Sequence, residues 1–125
     1  MRVLVDSCGW VAYLADGPHA DAFAPLLKRI HEVVVPTIVQ YEVYKWICRE
    51  REEKLALRVV GHMEQGIVRP LDTRVALLAA DLSRERDLAM ADAIVYAHAR
   101  IEEVSLVTSD KHFGGLPGVV LHEAR

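Results

Sequence analysis

Short runs that are apolar throughout alternate with longer stretches in which apolar residues recur every three or four positions. Residues 2–5 (RVLV) form the first short run and end at Asp6-Ser7. Val33-Val34-Val35 is the second, stopped by Pro36. Ser105 to Thr108 and Val119 to Leu121 are two more, and Ile67-Val68, before Pro70, is a shorter one. Short apolar runs without polar alternation predict strands covered on both faces. Between them, Gly9 to Leu14 predicts a short helix, and Asp16-Gly17-Pro18 a turn that places Pro18 at a first helical position. Phe23, Leu26, Leu27 and Ile30 mark an amphipathic helix over 19–31. Thr37 and Gln40 stand at capping-box spacing, which starts a helix at about 38 and carries it to about 50. Leu55, Val59, Val60 and Met63 mark a helix over 52–64, stopped by Gly66. Asp72 caps a helix over 73–85 carrying Val75, Leu78, Ala79 and Leu82, and a polar turn from Arg84 to Asp87 follows. Ile94, Val95 and Ala97 lie within a helix over 91–103.

Strands alternating with helices predict an α/β fold: three layers, α/β/α, around a central, mainly parallel sheet. No repeat, low-complexity tract or linker divides the chain, so 1–125 is expected to be one domain. An apolar content of 52% excludes a disordered chain. The net charge of −3 argues against a broad basic surface for nucleic acid. Any phosphate contact must therefore be local, or helped by bound metal. Cys8 and Cys48 form no Cys-x-x-Cys pair, which excludes zinc ribbons and dithiol redox motifs. Isolated thiols suit a reducing cytoplasm. The first apolar run is broken by Asp6 and reads as a strand, not a signal peptide. No apolar stretch reaches membrane-spanning length, so no membrane partner is expected.

Parallel sheets bind ligands just beyond the carboxyl ends of their strands. Asp6 directly follows the first strand, and Asp110 comes two residues after the strand at 105–108. Glu42 lies about one turn into the helix after the second strand, and Asp92 in the first turn of the helix leading into 105–108. All four map to one edge, and their lateral convergence depends on strand order. Taken singly, each is equally a turn former or a helix-terminus residue. Their surroundings are unusual for that role. Glu42 is flanked by Tyr41, Val43, Tyr44, Trp46 and Ile47, and Asp92 sits in LAMADAIVYAHA without a basic neighbour. Crowded carboxylates repel, and a cation between them is the economical remedy. Oxygen donors suit Mg²⁺ or Mn²⁺. The six histidines are scattered without zinc spacing and read as surface or core residues. A dication there would polarise a phosphoryl oxygen and activate water, the requirements of phosphodiester hydrolysis. Ser7, Thr108 and Ser109 supply hydroxyls that support the acids or simply form turns. Lys45 and Arg49 share a helix face with Glu42; they either meet substrate phosphates or pair with Glu42 or Glu53. Lys111, beside Asp110, is a further candidate phosphate contact. Trp46 belongs to the core or to a partner interface, Trp10 packs under the sheet, and Cys8 is expected to be a buried thiol.

The segments VDSCGWVAYL, PTIVQYEV, LAMADAIVYAHA and LVTSDKHF resemble, in order and spacing, the four acidic motifs of PIN-domain nucleases. The resemblance spans about residues 2–121, and the length is most similar to the small VapC-type toxins of toxin–antitoxin pairs. It implies a PIN-like α/β/α fold and Mg²⁺- or Mn²⁺-dependent endonucleolytic cleavage of RNA. It carries metal binding and catalysis onto Asp6, Glu42, Asp92 and Asp110, with Thr108 or Ser109 as polar support. It further implies a homodimer and a cognate antitoxin whose tail enters the acidic groove. Two other readings stand beside it. One is a non-catalytic PIN-like interaction module. The other is a phosphatase or phosphotransfer domain with Asp6 as nucleophile; such enzymes usually want a second Asp two residues on, where this chain has Cys8.

Overall fold

The computed structural model describes residues 1–17 and 19–122; the expected helix start at Pro18 lies outside them. Among the described residues, five short strands form one sheet: β1 (Val3–Val5), β2 (Val33–Pro36), β3 (Ile67–Arg69), β4 (Ser105–Thr108) and β5 (Val119–Leu121). Their order is β3-β2-β1-β4-β5, and every pairing is parallel. Val3, Leu4, Val5, Val33, Val34, Val35, Leu106 and Val107 are all buried, as two covered faces require. Six α-helices connect the strands among the described residues: α1 (Ser7–Leu14), α2 (Ala20–Leu27), α3 (Thr37–Glu50), α4 (Glu53–Met63), α5 (Thr73–Arg86) and α6 (Met90–Glu102). The chain steps from β1 to β2 to β3 in one direction, then crosses back to the far side of β1 for β4 and β5. Right-handed crossovers put α1 to α4 on one face and α5 with α6 on the other. The helix contacts agree: α1 packs on α2 and α3, α3 on α4, and α5 on α6. The result is the expected three-layer α/β/α arrangement. No helix among the described residues is long and apolar enough to cross a membrane.

Three local expectations are corrected. The helix expected over 19–31 stops at Leu27, and a 3-10 turn at Ile30–Glu32 follows. Phe23, Leu27 and Ile30 are all buried, so the apolar face persists while the last turn tightens to feed Val33 directly into β2. The capping box at Thr37 and Gln40 does not form. Pro36 ends β2 and is itself the residue before the helix, which leaves no room for a separate cap. The Gln40 amide instead donates to Glu64 at 3.2 Å. The polar turn expected from Arg84 is helical through Arg86 and closes on Asp87 at φ 55°. Arg84 pairs with Asp81 at 3.2 Å, one helical turn back. Helix α3 buries Val39, Val43 and Ile47 and packs Ile38, Tyr44 and Trp46 partly against the core.

Gly9 fixes how closely α1 approaches the sheet. A Cβ there would lie 2.5 Å from Val5 Cγ1 and 2.7 Å from the Phe23 ring. Only a residue without a side chain lets the first turn of α1 sit on the end of β1.

Candidate metal centre at the carboxyl edge of the sheet

The strand order reverses between β1 and β4, because the chain leaves β1 toward β2 on one side and reaches β4 on the other. Such a reversal opens a crevice at the carboxyl ends of the two strands. Asp6 stands at the end of β1. It caps α1, with Oδ1 accepting a hydrogen bond from the Gly9 N–H at 3.2 Å. Its Oδ2 accepts from the Thr108 hydroxyl at 2.7 Å. Thr108 is fully buried at the end of β4, and its hydroxyl oxygen accepts from the Asp110 N–H at 2.9 Å. One threonine thus ties the acids of two neighbouring strands together. Asp110 Oδ1 accepts from the His112 N–H at 2.9 Å, and the His112 ring Nδ1 lies 3.0 Å from the same oxygen. That ring nitrogen also lies 3.7 Å from Asp92 Oδ2, in the first turn of α6. Glu42, on α3, lines a groove together with Ser7 of α1.

The ligand atoms fall into two sets that share Asp110. Asp6, Cys8 and Asp110 form one, and Asp92, Asp110 and His112 the other, with the atoms of each within 4.8 Å of one another. Glu42 belongs to neither set, yet its charge raises the pKa of Asp6. Burial, opposed by the bonds from Thr108 and Gly9 and reinforced by the charges of Asp110 and Glu42, pushes the Asp6 carboxyl from the ordinary 3.8 up to about 6. Burial also raises Glu42, opposed by the nearby Ser7 hydroxyl and reinforced by the charges of Asp92 and Asp110. Asp92 is raised by burial and by Asp110, with His112 acting in the opposite sense.

Among the described residues no lysine or arginine forms an ion pair with these four acids. Three arginines pair away from the site, Arg49 with Glu50, Arg69 with Glu102 and Arg84 with Asp81. A donor set of converging oxygens, with His112 as its one basic neighbour among the described ion pairs, suits a hard dication. The expectation that Lys45 or Arg49 pairs with Glu42 or Glu53 is not met. The Lys45 ammonium lies 5.7 Å from the centre of the Tyr41 ring, and Arg49 bonds Glu50 at 3.0 Å. Both nevertheless line a groove of about 380 Å³ that Ser7, Cys8 and Glu42 also line. Lys111 is exposed beside Asp110. Of the three expected hydroxyl residues, Thr108 bonds Asp6 and Ser7 lines the groove beside Glu42; among the described residues no side-chain bond engages Ser109.

Cys8, expected to be buried, is exposed on the rim. Gly9 and Trp10 take the inward face of α1, and the Trp10 ring stands edge-on to His62 of α4 at 6.3 Å. His112 is the site neighbour that the sequence reading passed over. Its signal was its position two residues after Asp110, which the 3-10 turn at Lys111–Phe113 folds back onto the acid.

The family model of the PIN domain matches residues 3–118. No curated protein matches the chain. Among solved structures, a toxin–antitoxin complex from Klebsiella pneumoniae superposes with a TM-score of 0.82 at 23% identity, covering 98% of this chain and 100% of that one. VapBC2 from Rickettsia felis, bound to a DNA fragment from its promoter, superposes at 0.76 and 15% identity over 100% of both chains. VapC20 from Mycobacterium tuberculosis, described as a sarcin-ricin-loop-cleaving toxin, superposes at 0.76 and 17% identity, over 94% of this chain and 97% of that one.

Proposed function

The chain belongs to the PIN domain family, and from that premise we propose that it is a single-domain, Mg²⁺- or Mn²⁺-dependent endoribonuclease, the toxin of a type II toxin–antitoxin pair. The observation that carries the reading is the convergence of Asp6, Asp92 and Asp110, with Glu42 behind them, at the strand reversal, without an ion pair to lysine or arginine among the described residues. Asp6, Asp92 and Asp110 hold the metal, and Glu42 completes the acidic set. When bound, Mg²⁺ or Mn²⁺ supplies positive charge against the phosphoryl oxygens and lowers the pKa of water. The chain's own residues do the positioning. Thr108 and Gly9 fix both oxygens of Asp6, and Thr108 also holds the Asp110 backbone. Ser7 stands beside Glu42 in the groove, and the His112 N–H orients Asp110. Lys45, Arg49 and Lys111 hold substrate phosphates beside the acids.

The partners follow from the same reading. Solved relatives in toxin–antitoxin complexes support a cognate antitoxin. Exposed Leu71, Leu77 and Met90 offer a second copy an apolar surface, which supports a homodimer. The protein acts in the cytoplasm, on RNA.

The test is single-stranded RNA incubated with Mn²⁺, with and without excess chelator, using the wild type and Asp92→Asn. We expect cleavage by the wild type in Mn²⁺ alone. Cleavage that persists in chelator, or in the variant, would refute a metal-dependent nuclease.

A further inference from the structure

The acid centre carries two donors for which Mg²⁺ or Mn²⁺ has little use, the Cys8 thiol and the His112 ring. A free cysteine is usually a small buried apolar residue. Cys8 is instead exposed, because Gly9 and Trp10 take the inward face of α1. Packing therefore does not account for a thiol at this position. Its Sγ and one oxygen each of Asp6 and Asp110 lie within 4.8 Å of one another. The charges of Asp6, Asp110, Glu42 and Asp92 all reach it. Across Asp110, the His112 Nδ1 stands 3.0 Å from Oδ1. Sulfur and imidazole nitrogen beside carboxylate oxygen form the donor mixture of Zn²⁺ and related ions, not of Mg²⁺. Mn²⁺ stands lowest in the first-row affinity series, so a thiol-bearing set binds Zn²⁺ more tightly.

We propose that Cys8, Asp6 and Asp110 form a binding site for a thiophilic dication of the Zn²⁺ class, with His112 as a further donor across Asp110, and that its occupancy switches the centre off. The switching rests on the nuclease reading above; the site itself does not. The two kinds of ion exclude each other, because both need Asp6 and Asp110. Asp92 is not part of the Cys8 set, so the thiophilic ion is drawn to the side of Asp110 away from it. On binding, the sulfur–metal bond forms and the thiol proton passes to solvent. Cys8 lines the open groove with Ser7 and Glu42, so an ion reaches the thiol without displacing α1.

The test uses the full chain, with Co²⁺ as the spectroscopic probe for Zn²⁺. Stoichiometric Co²⁺ is expected to give a sulfur-to-cobalt charge-transfer band in the near ultraviolet, which added Zn²⁺ abolishes. The band is expected to vanish in Cys8→Ser and in Cys8→Ala and to persist in Cys48→Ser, which removes the chain's other cysteine. Both Cys8 substitutions fall on an exposed side chain, so the fold is kept. Loss of a group that only supports a ligand costs about 10–100-fold in metal affinity, so Cys8→Ser should raise the Zn²⁺ needed to displace Mn²⁺ by at least about tenfold. Displacement is read from the electron paramagnetic resonance signal of free Mn²⁺, and cleavage of single-stranded RNA in Mn²⁺ is followed alongside. A wild type without the band, or a band that survives in both Cys8 variants, overturns the site. Zn²⁺ that displaces Mn²⁺ and stops cleavage equally well in the wild type and in Cys8→Ser overturns the switch. A band that depends on Cys8, with cleavage absent at every Mn²⁺ concentration, removes the nuclease reading and the switch with it, while the site stands.

Discussion

Replacing Asp6 with Asn should both silence the protein and make its metal-free form more stable. Asp6 is 3% exposed, and its carboxyl has risen from 3.8 to about 6, first through burial. At 1.36 kcal/mol per pKa unit, keeping it ionised costs the folded state about 3 kcal/mol. The folded chain holds this proton more tightly than the unfolded chain between about pH 4 and pH 6. Stability therefore falls as pH rises through that window, and the full cost is present above it. Asn cannot ionise. Its side-chain oxygen keeps the bond from the Gly9 N–H, but the Thr108 hydroxyl loses its acceptor, a loss of about 1 kcal/mol. The net gain at pH 8 is about 2 kcal/mol, or roughly 6–10 °C in midpoint for a chain of this size. At pH 4.5 the wild-type carboxyl is protonated and the advantage disappears. The assay is thermal melting of both proteins in excess chelator at pH 4.5 and pH 8, with RNA cleavage in Mn²⁺ measured alongside. A variant no more stable than the wild type at pH 8, or a difference that ignores pH, would refute the electrostatic account of the site.

Saturating Mn²⁺ should raise the wild-type midpoint, by about 2.7 kcal/mol of stability at a hundredfold excess over Kd; an unchanged midpoint at millimolar metal would count against a preformed site. Thr108→Val removes a buried hydroxyl that serves Asp6 and Asp110 at once. It should cost about 1–3 kcal/mol in urea unfolding and move the acid limb of the cleavage profile to higher pH, because the Thr108 bond holds the Asp6 pKa down. A limb that stays in place would show that Thr108 does not tune Asp6. Gly9→Ala decides by its sign: helix propensity alone would stabilise by about 0.5–1 kcal/mol. The Cβ, 2.5 Å from Val5 Cγ1, should instead destabilise by about 1–3 kcal/mol in denaturant unfolding.

The layered fold was legible because its signals are local. The apolar runs at Val33 to Val35 and Ser105 to Thr108 fall on β2 and β4. The Asp72 cap is formed as expected, its carboxylate accepting from the Val75 N–H at 3.0 Å. Convergence of the acids was not legible, because it depends on β4 pairing with β1 rather than with β3. That pairing is set by a crossover spanning α5 and α6, for which no short-range pattern speaks. Thr108 could be nominated only as one hydroxyl among three. Its double role follows from register, which sets Val5 opposite Val107 and so places residue 108 level with Asp6. His112 was missed for a related reason. A two-residue step past Asp110 means little until the 3-10 turn folds it back.

The same topology explains why the acids come from every layer. Asp6 and Asp110 follow the two central strands, while Glu42 rides on α3 and Asp92 on α6. Helices α3 and α6 belong to opposite faces of the sheet and touch each other, so the site closes only when both layers are docked. Each of these carboxylates is pushed up or crowded by another, and the cost at Asp6 alone is a sizeable part of the 5–15 kcal/mol that holds a typical domain together. A residue chosen for folding would be neutral at that position, since an amide keeps the α1 cap without the charge. An ionisable group held at the end of β1 against that cost therefore points to work done on a ligand, with stability given up for function.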